Sequence, residues 1–190
     1  MKTKGNLFKH GIILVMIFAC LPVFKIYSQE TNLQDAVSKI AIKQTDAIKA
    51  LTIKAEVPTS AIGTKLGEFY TKLYNYTKAN QIRPDGPPFT IYLKFDPQGN
   101  TDIIVGVPVA TESKGEGDIL FKVFPAMKVV STLYMGPYEK MIPVYEAMGK
   151  FIKENNLEST GETWEIYLTD PEEVPDSSKY QTLIYFPIKQ

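Results

Sequence analysis

The sequence predicts an α+β domain built from two copies of a strand-helix-strand-strand unit, related by a pseudo-twofold axis with a cleft between them. Three observations carry that prediction. An aromatic-x-Ile-Tyr-Leu run leading into an Asp-Pro turn occurs twice, over residues 89–97 and 164–171. Each is followed by a segment rich in β-branched or aromatic residues that closes at a proline, residues 102–108 and 181–187. Each is preceded by an apolar stripe at helical spacing and, before that, by a further strand-like run. Alternating β-branched and aromatic residues bounded by turn formers read as strands, and an internal repeat sets the architecture of the chain.

Along the chain, residues 1–28 read as a leader rather than as part of the fold. Residues 1–9 carry three lysines and no acid, residues 11–24 are almost unbroken apolar, and residues 25–29 return to polar character. That layout is a secretory signal peptide, with cleavage expected near Ser28. The apolar run is about 14 residues, short of the roughly 18–20 that a membrane-spanning helix needs, so an uncleaved anchor fits less well. Cys20, after Ile17-Phe18-Ala19, offers a second reading as a lipidated cysteine. The bulk of Phe18 and the apolar residues 21–24 argue instead that Cys20 is part of the apolar run.

Residues 29–48 form a lead-in to one domain over residues 49–190: repeat one 49–109, connector 110–118 and repeat two 119–190. A strand is expected over 49–56. Pro58-Thr59-Ser60 supplies a helix start, with Thr59 or Ser60 as N-cap. Ile62, Leu66, Phe69, Leu73 and Tyr76 then lie on one face of a helix over 59–79. Gly115-Glu116-Gly117 lacks the following helix and the lysine of a phosphate loop, and marks residues 110–118 as a surface connection. In the second copy a strand is expected over 127–134. Gly136, between Tyr134 and Tyr138, is expected to take a positive φ. Met141, Tyr145, Met148 and Ile152 repeat the helical spacing; Pro143 suits a first turn, so this helix starts near Ile142 and ends at Glu154-Asn155-Asn156.

Strand alternation assigns faces. Phe89, Ile91 and Leu93 share one side with their counterparts Trp164, Ile166 and Leu168. Thr90, Tyr92 and Lys94, with Glu165, Tyr167 and Thr169, share the other. The apolar set is expected beneath the helices, and the mixed set away from them, toward the cleft.

Composition excludes several functions. Without the four lysines of residues 1–28, 17 basic residues face 21 acidic ones, a net charge of −4. An acidic domain is a poor match for phosphate backbones, and nucleic acid is excluded as a partner. The only histidine, His10, and the only cysteine, Cys20, leave with the leader. The mature domain then has no disulfide, no thiolate nucleophile, no Ser-His or Cys-His pair and no zinc site of the usual kind. No cofactor is expected. Asp96, Asp170, Glu172 and Glu173 lack the spacing of a calcium site and read as solvated turn acids.

A series of short strings carries a family resemblance. Gly86-Pro87-Pro88-Phe89, Val105-Gly106-Val107-Pro108-Val109, Gly115-Glu116-Gly117, Phe124-Pro125-Ala126 and Tyr134-Met135-Gly136-Pro137-Tyr138-Glu139 are followed by residues 164–171 and 182–187. In that order, over roughly residues 42–190, they resemble the GyrI-like effector-binding domain family. The resemblance implies an SHS2-type fold, two strand-helix-strand-strand units around a central ligand cleft. Members include the ligand-sensing parts of AraC- and MerR-type multidrug regulators, a gyrase inhibitor, stand-alone domains, and a subset that hydrolyses cyclopropane-containing genotoxic products. The implied partner is a small molecule, hydrophobic or cationic and aromatic, held by a buried glutamate ringed with aromatics. Glu165 stands where that glutamate is expected. With an export leader and no helix-turn-helix segment in the sequence, neither DNA-linked regulation nor gyrase inhibition is expected. The expected location is periplasmic or secreted, with membrane contact only through the leader or through lipidation at Cys20.

Among candidate site residues Glu165 comes first. A carboxylate between Trp164 and Ile166 costs several kcal/mol to bury unless something pairs with it. A cationic ligand would be that partner, with tyrosines adding cation–π attraction of ~0.5–2 kcal/mol each. The competing reading is a rim carboxylate in water. Tyr167 and Tyr92 are cleft walls or ordinary half-buried strand tyrosines. Tyr134 and Tyr138, beside the Gly136-Pro137 turn, and Tyr180, opening the last strand, are further wall candidates. In a metal-independent hydrolase, Glu165 and Tyr167 would activate water against a strained electrophile. A lipid- or haem-handling role is a third class, in which only Met or Tyr would remain as haem ligands.

Overall fold

A computed structural model describes residues 37–189; the leader, with His10 and Cys20, lies outside the described residues. Among the described residues the elements run β1 (Ala41–Gln44), β2 (Ile48–Pro58), α1 (Ile62–Ala79), β3 (Phe89–Lys94), β4 (Asn100–Pro108), β5 (Leu120–Phe124), β6 (Lys128–Met135), α2 (Ile142–Glu154), β7 (Thr163–Tyr167) and β8 (Gln181–Pro187). All strands join one antiparallel sheet in the order β1-β6-β8-β7-β3-β4-β2-β5. The expected duplication is present. β2-α1-β3-β4 and β6-α2-β7-β8 are arranged symmetrically about the β7–β3 boundary. One offset of 75 residues aligns Tyr70 with Tyr145, Leu73 with Met148, Thr90 with Glu165 and Tyr92 with Tyr167. Thr90 and Glu165 are direct cross-strand partners, so the pseudo-twofold axis passes between them.

Two strands have no counterpart in the sequence reading. β1 arises from the lead-in and pairs with β6 of the second copy, while β5 opens the second copy and pairs with β2 of the first. This exchange bends the whole sheet. β1 and β2 hold the first and seventh positions of the sheet, yet only residues 45–47 join them. Four Cα steps reach at most about 14 Å, whereas six strand spacings in a flat sheet cover about 29 Å. Residues 125–127 join β5 to β6, the eighth and second strands, under the same constraint. The sheet therefore curls until its ends approach. There the Thr45 N–H donates to the Met127 carbonyl at 2.9 Å and the Met127 N–H donates to Thr45 Oγ1 at 3.1 Å.

Curling corrects the expected faces. Phe89, Ile91, Trp164 and Ile166 are buried, but they fill the concave interior with Phe124, Leu183 and Tyr185 instead of lying under the helices. Trp164 stacks on Phe89 at 5.2 Å and meets Phe124 edge-on at 5.0 Å. The helices cover the convex face. α1 packs Leu73 into a cluster with Leu51, Ile53, Ile103 and Val105, and α2 packs Val144 and Met148 with Val130 and Ile184. A curled sheet covers its own inner face, so the fully apolar set goes inside. The mixed set on β3 and β7 is left on the helix side, between α1 and α2.

Local expectations fare unevenly. α2 begins at Ile142 with Pro143 in its first turn, as the sequence predicts. The N-cap of α1 does not follow the prediction. Residues Thr59–Ala61 form a 3-10 turn, and Ala61 is the N-cap without a side-chain bond. The Thr59 hydroxyl instead donates to the Asp96 carbonyl at 2.5 Å and lies 2.7 Å from Thr101 Oγ1, which ties it to the β3–β4 turn. Gly136 has φ +145°, and a Cβ there would sit 2.5 Å from the Tyr134 hydroxyl oxygen. Both facts call for glycine.

Candidate ligand-binding site

Between α1 and α2, the convex sides of β3 and β7 carry a carboxylate surrounded by phenols. Glu165, in the middle of β7, is 5% exposed. Tyr145, from α2, donates to its Oε1. Tyr167 donates to Oε2 at 2.7 Å, and Tyr92, from β3, donates to Oε2 at 3.3 Å. On the other side of the axis Tyr70, from α1, shares a hydrogen bond of 3.0 Å with the Thr90 hydroxyl. Tyr70–Thr90 is thus the twofold counterpart of Tyr145–Glu165. The Tyr167 ring makes T-shaped contacts with Tyr70 at 6.2 Å and Tyr138 at 5.6 Å, and Tyr138 packs against Tyr180 at 5.3 Å.

The electrostatics follow from burial. Desolvation raises the Glu165 carboxyl pKa, and the hydrogen bonds from Tyr145, Tyr167 and Tyr92 only partly oppose it. Burial, then the neighbouring Glu165 charge, pushes the phenols of Tyr92, Tyr145 and Tyr167 above their ordinary value. Tyr138 is pushed up to about 12, first by burial and then by Tyr180 and Glu165. The phenols are neutral donors. An ionised carboxylate has about four acceptor positions, of which three are used here. Among the described residues the ion pairs are exposed lysine–carboxylate pairs, and none involves Glu165. A carboxylate so placed can stabilise a positive charge, and none of the ion pairs among the described residues supplies one.

Of the residues singled out in the sequence, Glu165, Tyr167, Tyr92, Tyr138 and Tyr180 come together. Tyr134 does not. It lies on β6, two strands from β7, where it is buried in the cluster under α2 and donates its hydroxyl to the Pro137 carbonyl at 3.1 Å. Tyr145 and Tyr70 complete the ring but were not among the sequence candidates. Tyr145 falls within the apolar stripe of its helix and reads as core. The signal that marks both is the repeat itself, since they occupy the same position in the two copies. Asp96 and Asp170 accept backbone N–H groups from Gln98 at 3.0 Å and Glu172 at 2.9 Å, closing exposed turns. Among the described residues no group of three or more His, Cys, Asp or Glu side chains is arranged to hold a metal ion.

Known proteins share this fold. Among solved structures, EcmrR in complex with DNA superposes with a TM-score of 0.73 at 23% identity, over 88% of this chain and 63% of that one. The chain thus spans less than two thirds of full EcmrR. The EcmrR C-terminal domain alone gives 0.69 at 24% identity, over 80% of this chain and 98% of that domain. A protein from Listeria innocua described as a hydrolase gives 0.58 at 14% identity, covering 86% and 98% of the two chains. SAV2435 bound to tetraphenylphosphonium gives 0.52 at 14% identity, covering 80% and 94%. At these identities the likeness is one of fold. No curated protein sequence matches the chain. The GyrI-like small molecule binding domain matches residues 38–189, and the chain belongs to that family.

Proposed function

We propose that this domain captures an amphipathic aromatic cation outside the cytoplasm, with Glu165 as the charge partner and the surrounding tyrosines as walls. The observation that carries this reading is the convergence of three phenol hydroxyls on a buried carboxylate with no basic partner among the described residues. A bound cation would offset the desolvation of Glu165, and the tyrosine faces would add cation–π attraction of ~0.5–2 kcal/mol each. Tetraphenylphosphonium in SAV2435 is a ligand of this chemical class on a related fold. Entry passes Tyr138 and Tyr180, the half-buried rings on the outer side of the cluster. In the hydrolytic alternative Glu165 and Tyr167 would move a proton to or from water. The phenols already converge on both carboxylate oxygens, which favours holding a charge over passing a proton.

A thermal-shift measurement tests the reading with tetraphenylphosphonium and the neutral triphenylphosphine oxide. A ligand at 100 times its Kd stabilises the native state by about 2.7 kcal/mol, or about 5–10 °C for a chain of this size. The phosphonium is expected to give such a shift with the wild type and to lose it with Glu165→Gln, while the oxide treats both proteins alike. If no cation shifts the wild type, the charge-partner reading is wrong.

The leader is the basis for placing the protein outside the cytoplasm. Intact-mass analysis of the native protein is expected to show a chain beginning at Gln29. A chain beginning at an acylated Cys20 would replace free export with lipid anchoring. A mass that still includes residues 1–28 would remove the export proposal.

A further inference from the structure

Thr182, on β8, is 0% exposed, and its hydroxyl has no hydrogen-bond partner. Buried polar groups are nearly always paired, and an unpaired one costs stability, so each exception calls for a reason. Strand register puts Thr182 between Tyr167 on β7 and Tyr134 on β6, whose hydroxyl is committed to the Pro137 carbonyl, on the helix-side face that carries Glu165. Glu165 pairs with Ile184, which makes Thr182 its diagonal neighbour, about 7–8 Å away. The twofold counterpart of Thr182 is Ile103, opposite Tyr92. The fold is therefore satisfied by a purely apolar side chain at this place, and the hydroxyl is not a packing requirement. Tyr138 packs on Tyr167, across from Thr182, and on Tyr180, two residues before it. The other unpaired buried hydroxyl, Ser131, pairs in register with Tyr185 on the enclosed inner face and is not part of this cluster.

We infer that Thr182 is a second anchor of the ligand site, hydrogen-bonding a polar group carried by the bound cation one strand away from its charge. The ligand class narrows accordingly, from any lipophilic cation to an aromatic cation bearing a hydroxyl, carbonyl or amide on a short arm. This rests on the reading of Glu165 as charge partner. Without ligand the hydroxyl is a standing cost, and with ligand it discriminates.

The test uses two probes that differ by one atom group, (3-hydroxypropyl)triphenylphosphonium and butyltriphenylphosphonium, titrated into wild type, Thr182→Val, Thr182→Ser and Glu165→Gln. The wild type is expected to favour the hydroxylated probe by about 3- to 10-fold, the range of one net hydrogen bond. Thr182→Val should abolish or reverse that preference, and should melt higher than wild type without ligand. Thr182→Ser should keep the preference. An affinity ratio that is the same in wild type and Thr182→Val overturns the second anchor. If Glu165→Gln still weakens both probes in that case, the charge-partner reading survives alone. Failure of both probes to bind the wild type overturns the two together.

Discussion

The Glu165→Gln protein is expected to be more stable than the wild type at neutral pH, without ligand, and to lose a pH dependence that the wild type shows. Burial raises the carboxyl pKa in the folded state above its unfolded value, with the three phenol hydrogen bonds opposing only part of the shift. The folded protein then binds the proton more tightly than the unfolded chain. The stability contributed by protonated Glu165 is fully present below the unfolded pKa and is lost as pH rises through the raised folded one. Glutamine resembles the protonated acid in shape and carries no charge to desolvate. Its advantage should therefore vanish at acid pH and grow to about 1–3 kcal/mol above the folded pKa. Urea melts of both proteins from pH 4 to pH 8, taken as a difference, measure it. Asp118, held low by its hydrogen bond to Lys72, and Asp176, held low by Ser178, slope the opposite way at acid pH but are common to both proteins and cancel. A wild type more stable than the variant at neutral pH would mean that the carboxylate is already compensated, and the site would have no use for a cation.

Gly106→Ala is expected to be the most damaging small substitution in the sheet. Gly106 lies on β4 opposite Phe89, whose ring lies across it; a Cβ there would come within 2.2 Å of the Phe89 Cζ and 2.7 Å of both Cε atoms. The ring has nowhere to go. It is 1% exposed, stacked on Trp164 at 5.2 Å and met edge-on by Phe124 at 5.6 Å. Overpacking of this kind costs about 1–3 kcal/mol or more, equivalent to a fall in Tm of about 2–12 °C. Phe89→Leu in the same chain should recover part of the loss, a coupling that a double-mutant cycle reads directly. Additive losses would show that the ring is not what the methyl group meets. The twofold counterpart of Gly106 is Tyr185, opposite Trp164, so the two halves fill the same interior with different partners.

The recurrence of aromatic-x-Ile-Tyr-Leu with its flanking helix determined the duplicated architecture, because side-chain periodicity and turn residues are local properties written in order along the chain. The start of α2 at Ile142 and the positive φ of Gly136 were legible for the same reason. Glu165 stood out mostly because it stands where the family resemblance implies a buried glutamate, and also because a carboxylate among apolar strand residues is anomalous. Three things depended on the tertiary structure. The exchange of β1 and β5 between halves is a long-range pairing with no local pattern behind it, and the curl it imposes reversed which strand face meets the helices. Tyr134 moved out of the site because sheet order, invisible in sequence, separates β6 from β7 by β8. Tyr70 and Tyr145 entered it because a tyrosine at a helix margin packs as core along most of its ring while its hydroxyl reaches a polar partner. Whether that partner is Thr90 or Glu165 is decided only when the helix lies on the sheet.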